Sequence, residues 1–299
     1  MSNAIEARGV AYRAGKNFEI RDLDLNVPSG SIYGFLGPNG AGKTTTIRLL
    51  LGMTRAAGGR MTVLGHDSSR DVARALQRTG YVPERPHLYA AFTVDEAMRY
   101  HRAFYPSWDD AWAEKLKRSF ALPDDRRIAK LSKGEVGKLM ILLALAQRPE
   151  LLVLDEPTDG LDPMIRRDAL SAVLDYVAEA RATVFISSHL VHELERICDW
   201  VGVLDHGQMV AEMPIESFKN GVKRVRLQGS PGALDDAPFA VLSRTPDQLT
   251  AGETWIVRGW QDPMRQYFDH AGASVREVAD LDLEEVFVEL LRSSRVAAR

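Results

Sequence analysis

The chain has 299 residues, 45 % of them hydrophobic and 26 % charged, with a formal net charge of −3. That balance excludes a disordered or fibrous chain. It leaves no global excess of basic charge, so no nucleic-acid partner is expected.

Cys198 is the only cysteine. An internal disulfide is therefore excluded, a zinc cluster lacks thiolates, and a reducing compartment is expected. Residues 1–15 carry Glu6, Arg8 and Arg13 and no apolar run, so they do not read as a signal peptide. The longest apolar stretch, 139–146, falls far short of the ~18–20 residues that span a bilayer. An intracellular chain without a membrane span is the expectation.

From about residue 5 to residue 80, short apolar runs alternate with glycine-rich turns. Residues 31–36, SIYGFL, read as a buried strand, and a helix starts near Thr44. Between them, GPNGAGKT at 37–44 matches G-x-x-x-x-G-K-[ST], in the strand–loop–helix setting that a phosphate loop needs. Glycines let backbone N–H groups converge on phosphate oxygens, and the helix directs its positive end at the same anion. The candidate nucleotide contacts are Gly37, Pro38, Asn39, Gly40, Ala41, Gly42, Lys43, Thr44 and Thr45. Lys43 would neutralise the β- and γ-phosphates, and the Thr44 hydroxyl would bind Mg²⁺. The plain alternative is a glycine-rich turn that binds nothing.

Residues 92–130 read as helical, with Phe92, Tyr100, Phe104, Tyr105, Trp108 and Trp112 among charges. These aromatics are expected to form mainly an interior cluster, with a surface groove for a partner as the alternative. Strand and helix patterns alternate again from 151 to 210, which suggests a parallel sheet with crossover helices. The run 151–156, LLVLDE, is an apolar strand ending in two acids, and such a strand end points into a ligand crevice. Asp155 would hold Mg²⁺, and Glu156 would act on the attacking water as general base. Alone, such a pair is also what a solvated loop looks like; the phosphate loop gives it meaning. His189 ends the strand at 183–188, whereas His192 and His206 read as surface residues. His206 and Gly207 form a hairpin turn between apolar runs.

The texture shifts near residues 215–222. Strand candidates at 222–227 and 254–257 flank a Gly/Pro/Asp stretch at 229–238. A last helix begins at Asp282, with Glu285 completing a capping box, and Leu283, Val286, Phe287, Leu290 and Leu291 form one stripe.

Five motifs now stand in one order: 37–45, LSKGE at 131–135, 151–157, DGLD at 159–162 and SSH at 187–189. That order, over about residues 5–210, resembles the ATP-binding subunits of ABC transporters. The wording of the phosphate loop and of LSKG is similar to the branch serving ABC-2-type exporters.

The resemblance implies an α/β P-loop NTPase fold of the ABC ATPase type. Residues 1–215 would form the ATPase domain, with a helical insertion at about 85–130, and 216–299 a small α+β accessory domain. It implies ATP and Mg²⁺ as cofactors, held between two nucleotide domains that face head to tail as a homodimer or heterodimer. Glu156, His189 and Lys43 would be catalytic, with His189 as the switch histidine. Ser132 and the Gly134 backbone would cap the γ-phosphate of the partner's ATP, and Asp162 would touch the opposite site. Read without the resemblance, Ser132 and Asp162 are N-caps of helices. An integral membrane permease subunit would dock on the insertion, where His87, Leu88 and Tyr89 are contact candidates. The chain would then be cytoplasmic, peripheral on the inner face of the membrane, and would drive export. The segment 283–287, LEEVF, resembles the tail helix of drug- or lipid-exporter ATPases; a plain packing helix is the alternative.

Three positions depart from the family pattern. Lys133 and Glu135 stand in the signature, where the usual wording is Leu-Ser-Gly-Gly-Gln. Glu84 stands where a glutamine is usual and is read as a ligand of the metal or its water. The position best aligned with the adenine-stacking aromatic is Ala14, so Phe18 is preferred for that role, with Tyr12 as substitute. The rival readings are a non-transport ABC ATPase with a regulatory or nucleic-acid-related role and a P-loop phosphotransferase.

Overall fold

The computed structural model describes residues 2–15, 18–231, 237–247 and 252–297. Residues 232–236, within the expected loop at 229–238, lie outside the described residues. The chain divides into two compact units, Met1–His189 with Leu204–Met209, and Leu190–Val203 with Val210–Arg299.

The first unit opens with β1 (Asn3–Ala14), β2 (Phe18–Pro28), β3 (Ile32–Leu36), α1 (Lys43–Leu50), β4 (Gly58–Val63), β5 (His66–Asp67), α2 (Val72–Leu76) and β6 (Thr79–Val82). It continues with α3 (Val94–Arg102), α4 (Asp110–Ser119), α5 (Lys133–Ala146), β7 (Leu151–Asp155), α6 (Pro163–Ala180) and β8 (Thr183–Ser188). Strands β2-β1-β4-β5 make an antiparallel sheet. Strands β3, β8, β7 and β6 pair in parallel. Every residue of β3, β7 and β8 is buried. Their unbroken apolar runs follow from a sheet covered on both faces. Tyr33 and Phe35 of β3 pack on Phe185 of β8, with ring centroids 5.6 and 5.1 Å apart.

The apolar stretch at 139–146 is the buried body of α5. It is apolar all round because it is a core helix. No described helix is long and apolar enough to cross a membrane.

The insertion is helical, as expected. Thr93 and Glu96 form a capping box at α3, and Asp109 caps α4. Its aromatics divide between the interior cluster and the surface, so the interior expectation holds only in part. Trp112 is buried and lies 6.1 Å from Tyr176 of α6. Tyr100 and Phe104 are exposed and join Tyr89 and Phe92 in an outer cluster. The cause is helical phase: Val94, Ala97 and Met98 take the inner face of α3, so Tyr100 falls on the outer one.

The second unit contains α7 (Val191–Leu194), most of β9 (Trp200–Asp205) and β10 (Gln208–Pro214), then α8 (Ile215–Asn220) and β11 (Val222–Gln228). It ends with β12 (Ala240–Pro246), β13 (Gly252–Arg258), α9 (Arg265–His270), β14 (Ser274–Asp280) and α10 (Leu283–Ala297). Strands β9 and β10 are neighbours joined by a hairpin. Both turn residues, His206 and Gly207, have positive φ, the geometry of a tight hairpin. The last four strands form an antiparallel sheet, β12-β13-β11-β14. Val225, Leu227, Trp255 and Val257 pack there with Phe239 and Phe268. Asp282 and Glu285 cap α10 reciprocally, and its apolar stripe is buried.

Candidate functional site

The site grows from the turn between β3 and α1. Gly42 caps α1 with φ 114°, and no side chain caps the helix. A side chain there would be strained in backbone, and its Cβ would come within 2.9 Å of the Phe18 ring. Glycine thus leaves the α1 N-terminus free to meet an anion. Lys43 follows and is buried, only 6 % exposed. Its ammonium donates to Gly37 O at 2.7 Å and ion-pairs with Glu156 Oε1 at 3.0 Å.

Asp155 ends β7 and Glu156 follows it. Asp155 Oδ1 accepts from Thr44 Oγ1 at 3.2 Å and from Ser187 Oγ at 2.7 Å. Asp155 Oδ2 is buried without a hydrogen-bond partner. Burial pushes the Asp155 carboxyl above the usual carboxylate range; the Ser187 and Thr44 hydroxyls oppose this, and the Glu84 and Glu156 charges add to it. A buried acceptor left open in this way suits a hard cation. Magnesium commonly takes one or two carboxylates and finds its other ligands in phosphates and water. Thr44 and Asp155 fit that donor set. Glu84 is exposed in the loop after β6 and close enough for its charge to act on Asp155.

Glu156 has a left-handed backbone, φ 48°, which is strained for a residue other than glycine. Its N–H is held by Ser187 O at 3.2 Å and Ser187 Oγ at 3.0 Å. Its Oε2 meets His189 Nδ1 at 2.9 Å and accepts from the His189 N–H at 3.3 Å. Lys43 and His189 thus grip opposite oxygens of one carboxylate.

These groups open on a cavity of about 400 Å³ lined by Pro38, Asn39, Gly40, Gly42, Lys43, Thr44 and Thr45. Phe18, Glu84, Glu156, Asp159 and His189 complete its wall. Gly37 and Ala41 do not line it. Gly37 offers its carbonyl to Lys43, and the Ala41 carbonyl accepts from Gly207 N–H at 2.8 Å. Phe18 therefore stands beside the loop, where an aromatic can serve a base, while Tyr12 is paired with Ile20 along β1.

Residues 20–159 match the ABC transporter family. The chain is 30 % identical to the bacitracin transport ATP-binding protein BcrA of Bacillus licheniformis, over 97 % of this chain and 98 % of that protein. The chain belongs to the ABC transporter family. It is an ATP-binding subunit of an ABC transporter, an ATPase whose hydrolysis of ATP serves transport. It is also 36 % identical to the Nod factor export ATP-binding protein I of Cupriavidus pinatubonensis, over 70 % of this chain and 65 % of that one. A solved structure of an ATP-binding subunit of an ABC transporter matches with a TM-score of 0.65 at 28 % identity, over 72 % of this chain and 92 % of that chain.

In this ABC ATPase, Ser132, Gly134 and Asp162 do not line the cavity of their own chain. Ser132 caps α5 in a reciprocal box with Glu135, whose carboxylate also pairs with Arg126 at 2.9 Å. The Ser132 N–H, then its hydroxyl and the Arg126 charge, hold the Glu135 carboxyl below its usual range against the opposing effect of burial. Gly134 is buried, and a Cβ there would come within 2.2 Å of Ile165. Asp162 caps α6 through the N–H groups of Met164 and Ile165, at 3.0 and 3.1 Å, with Pro163 in the first turn.

Two residues acquire a place that the sequence reading gave no role. Ser187 bridges Asp155 to the Glu156 backbone, and Asp159 lines the cavity. The signal for Ser187 is a hydroxyl at the end of an otherwise apolar strand.

Proposed function

We propose that this chain is the motor subunit of an exporter, in which ATP closes two nucleotide domains and its hydrolysis releases them. The observation that carries this reading is the Glu156 carboxylate held between Lys43 and His189 beside the cavity that the phosphate loop lines. A γ-phosphate competes with Glu156 for Lys43, and Glu156 Oε1 is then released to accept a proton from water. His189 keeps the other oxygen in place, so the base does not swing as its partner changes. The backbone N–H groups at the α1 N-terminus and Lys43 take up the charge that develops on the phosphate. Thr44 and Asp155, with Glu84, would hold Mg²⁺, which would supply further neutralisation of the phosphates. Phe18 stacks on the adenine.

Ser132 and the Gly134 backbone, at the N-terminus of α5, complete the site of a second nucleotide domain, with Asp162 beside them. That domain is a copy of this chain or a different ATP-binding subunit. A membrane permease docks on the insertion and keeps the chain at the inner face of the membrane. Exposed Tyr89, Tyr100 and Phe104 support that placement, as does a cavity of about 590 Å³ lined by His87, Leu88 and Tyr105 that also reaches Thr44, Glu84 and Asp155. The names of the bacitracin and Nod factor relatives favour export. Residues 1–215 are assigned to the ATPase, with the insertion at 85–130, and 216–299 to an accessory part.

The test is Glu156→Gln. Nucleotide binding measured by titration is expected to stay within about threefold of the parent, and steady hydrolysis to fall by at least ~10²-fold, the usual scale for a general base. Normal turnover in this variant refutes the assignment.

A further inference from the structure

A further cavity, of about 280 Å³, lies beneath the start of α5. Glu84, Glu156 and Asp159 line it, and Lys133 is the one cation among its described lining residues. Lys133 thus shares this space with three carboxylates.

Lys133 does more than sit nearby. Its ammonium lies over Gly160, where an added Cβ would come within 2.2 Å of Nζ. Gly160 has φ +63°, a backbone that favours glycine. The turn that contains Gly160 begins on Glu156, because Asp159 N–H donates to Glu156 O at 3.1 Å. Leu161 N–H then closes on Thr158 O at 3.2 Å, and Asp162 caps α6. What fixes this turn also fixes the left-handed backbone of Glu156.

We propose that Lys133 is a positioning residue for hydrolysis, acting within its own chain by covering Gly160 and holding the turn at 159–162 and, through it, Glu156. This rests on the reading of Glu156 as the base. It assigns the signature lysine a partner in the same chain rather than the ATP of the facing domain. The start of α5 then reports to the chain's own base as well as to the neighbouring site.

The test compares Lys133→Met and Lys133→Arg with the parent in steady-state ATP hydrolysis by the full chain. Hydrogen exchange is followed in peptides covering 156–162. Lys133 is exposed, so neither change threatens the fold. Lys133→Met is expected to lower kcat about three- to fivefold, the scale of a weak contact at an exposed side chain. KM for ATP should stay within about twofold, exchange at 156–162 should quicken, and Lys133→Arg should restore most of the rate. An unchanged kcat overturns the inference. So does a rise in KM at full kcat, which would mean that Lys133 acts on nucleotide, and so does a lower kcat with unaltered exchange. Glu156→Gln run alongside separates the two ideas. If it hydrolyses normally, the reading of Glu156 fails; if it is inactive while Lys133→Met behaves as the parent, only the role of Lys133 fails.

Discussion

Phe18 shows how much one side chain depends on its neighbours. It begins β2, half-buried, and its ring lies where a Gly42 side chain would otherwise stand. The loop can keep its open helix end only because Gly42 gives way to that ring. If Phe18 stacks on the adenine, Phe18→Ala removes a contact of about 1–3 kcal/mol, the scale of base–aromatic stacking. KM for ATP should then rise about tenfold while kcat changes little, and Phe18→Trp should keep KM near the parent value. Steady-state kinetics over a range of ATP concentrations checks this, and an unchanged KM in Phe18→Ala removes the residue from the base site.

The same scale explains which site residues were legible in the sequence. Lys43, Thr44, Asp155, Glu156 and His189 were found because each ends a strand or opens a helix at a fixed local spacing. Ser187 and Lys133 were not, because their meaning lies in contacts across the fold. Ser187 matters for touching Asp155 from a neighbouring strand, and Lys133 for lying over a glycine in another loop. No spacing encodes either contact.

At the scale of elements, the parallel strands were easy to read because burial on both faces makes them continuously apolar. The C-terminal sheet was half read. Strands β11 and β13 carry Val225, Leu227, Trp255 and Val257 and were expected. Strands β12 and β14 are edges, and most of their residues are at least partly exposed. Arg244, Arg276 and Glu277 interrupt their apolar pattern, as charges on edge strands do to prevent further pairing.

Helix α4 is joined to the end of α5 through Asp109. Its Oδ1 accepts from Trp112 N–H at 2.9 Å and its Oδ2 from Arg148 Nε at 2.8 Å. Arg148 also lies over the Trp112 ring, 4.5 Å from its centroid. The Trp112 N–H, followed by Arg148, holds the Asp109 carboxyl below its usual range against the opposing effect of burial. A carboxyl with a folded pKa below its unfolded one stabilises in full above the unfolded value, about 4. The contribution is lost as pH falls through the folded value. Asp109→Asn should therefore cost roughly 1 kcal/mol at pH 7 and less near pH 3. Urea unfolding at the two pH values measures this, and an equal loss at both would show that the charge plays no part.

At the scale of the whole molecule, the outer face of the insertion is where this ATPase is least self-sufficient. Tyr89 and Phe104 are 60 % and 61 % exposed. Tyr100 bridges them, with ring centroids 5.5 and 5.0 Å away. A row of touching aromatics left to water is unfavourable for a chain that works alone, and such patches mark interaction surfaces. The loop carrying Tyr89 begins at Glu84, whose charge acts on Asp155, so a partner seated here would share a loop with the nucleotide site. Aromatic anchors at interface centres cost about 2 kcal/mol or more when truncated. Phe104→Ser combined with Tyr89→Ser should therefore lower the amount of membrane permease that co-purifies with the tagged subunit by at least ~tenfold. Both side chains are exposed, so far-UV circular dichroism and Tm should match the parent. Undiminished co-purification would mean that the permease docks elsewhere, and the aromatic row would then need a different partner.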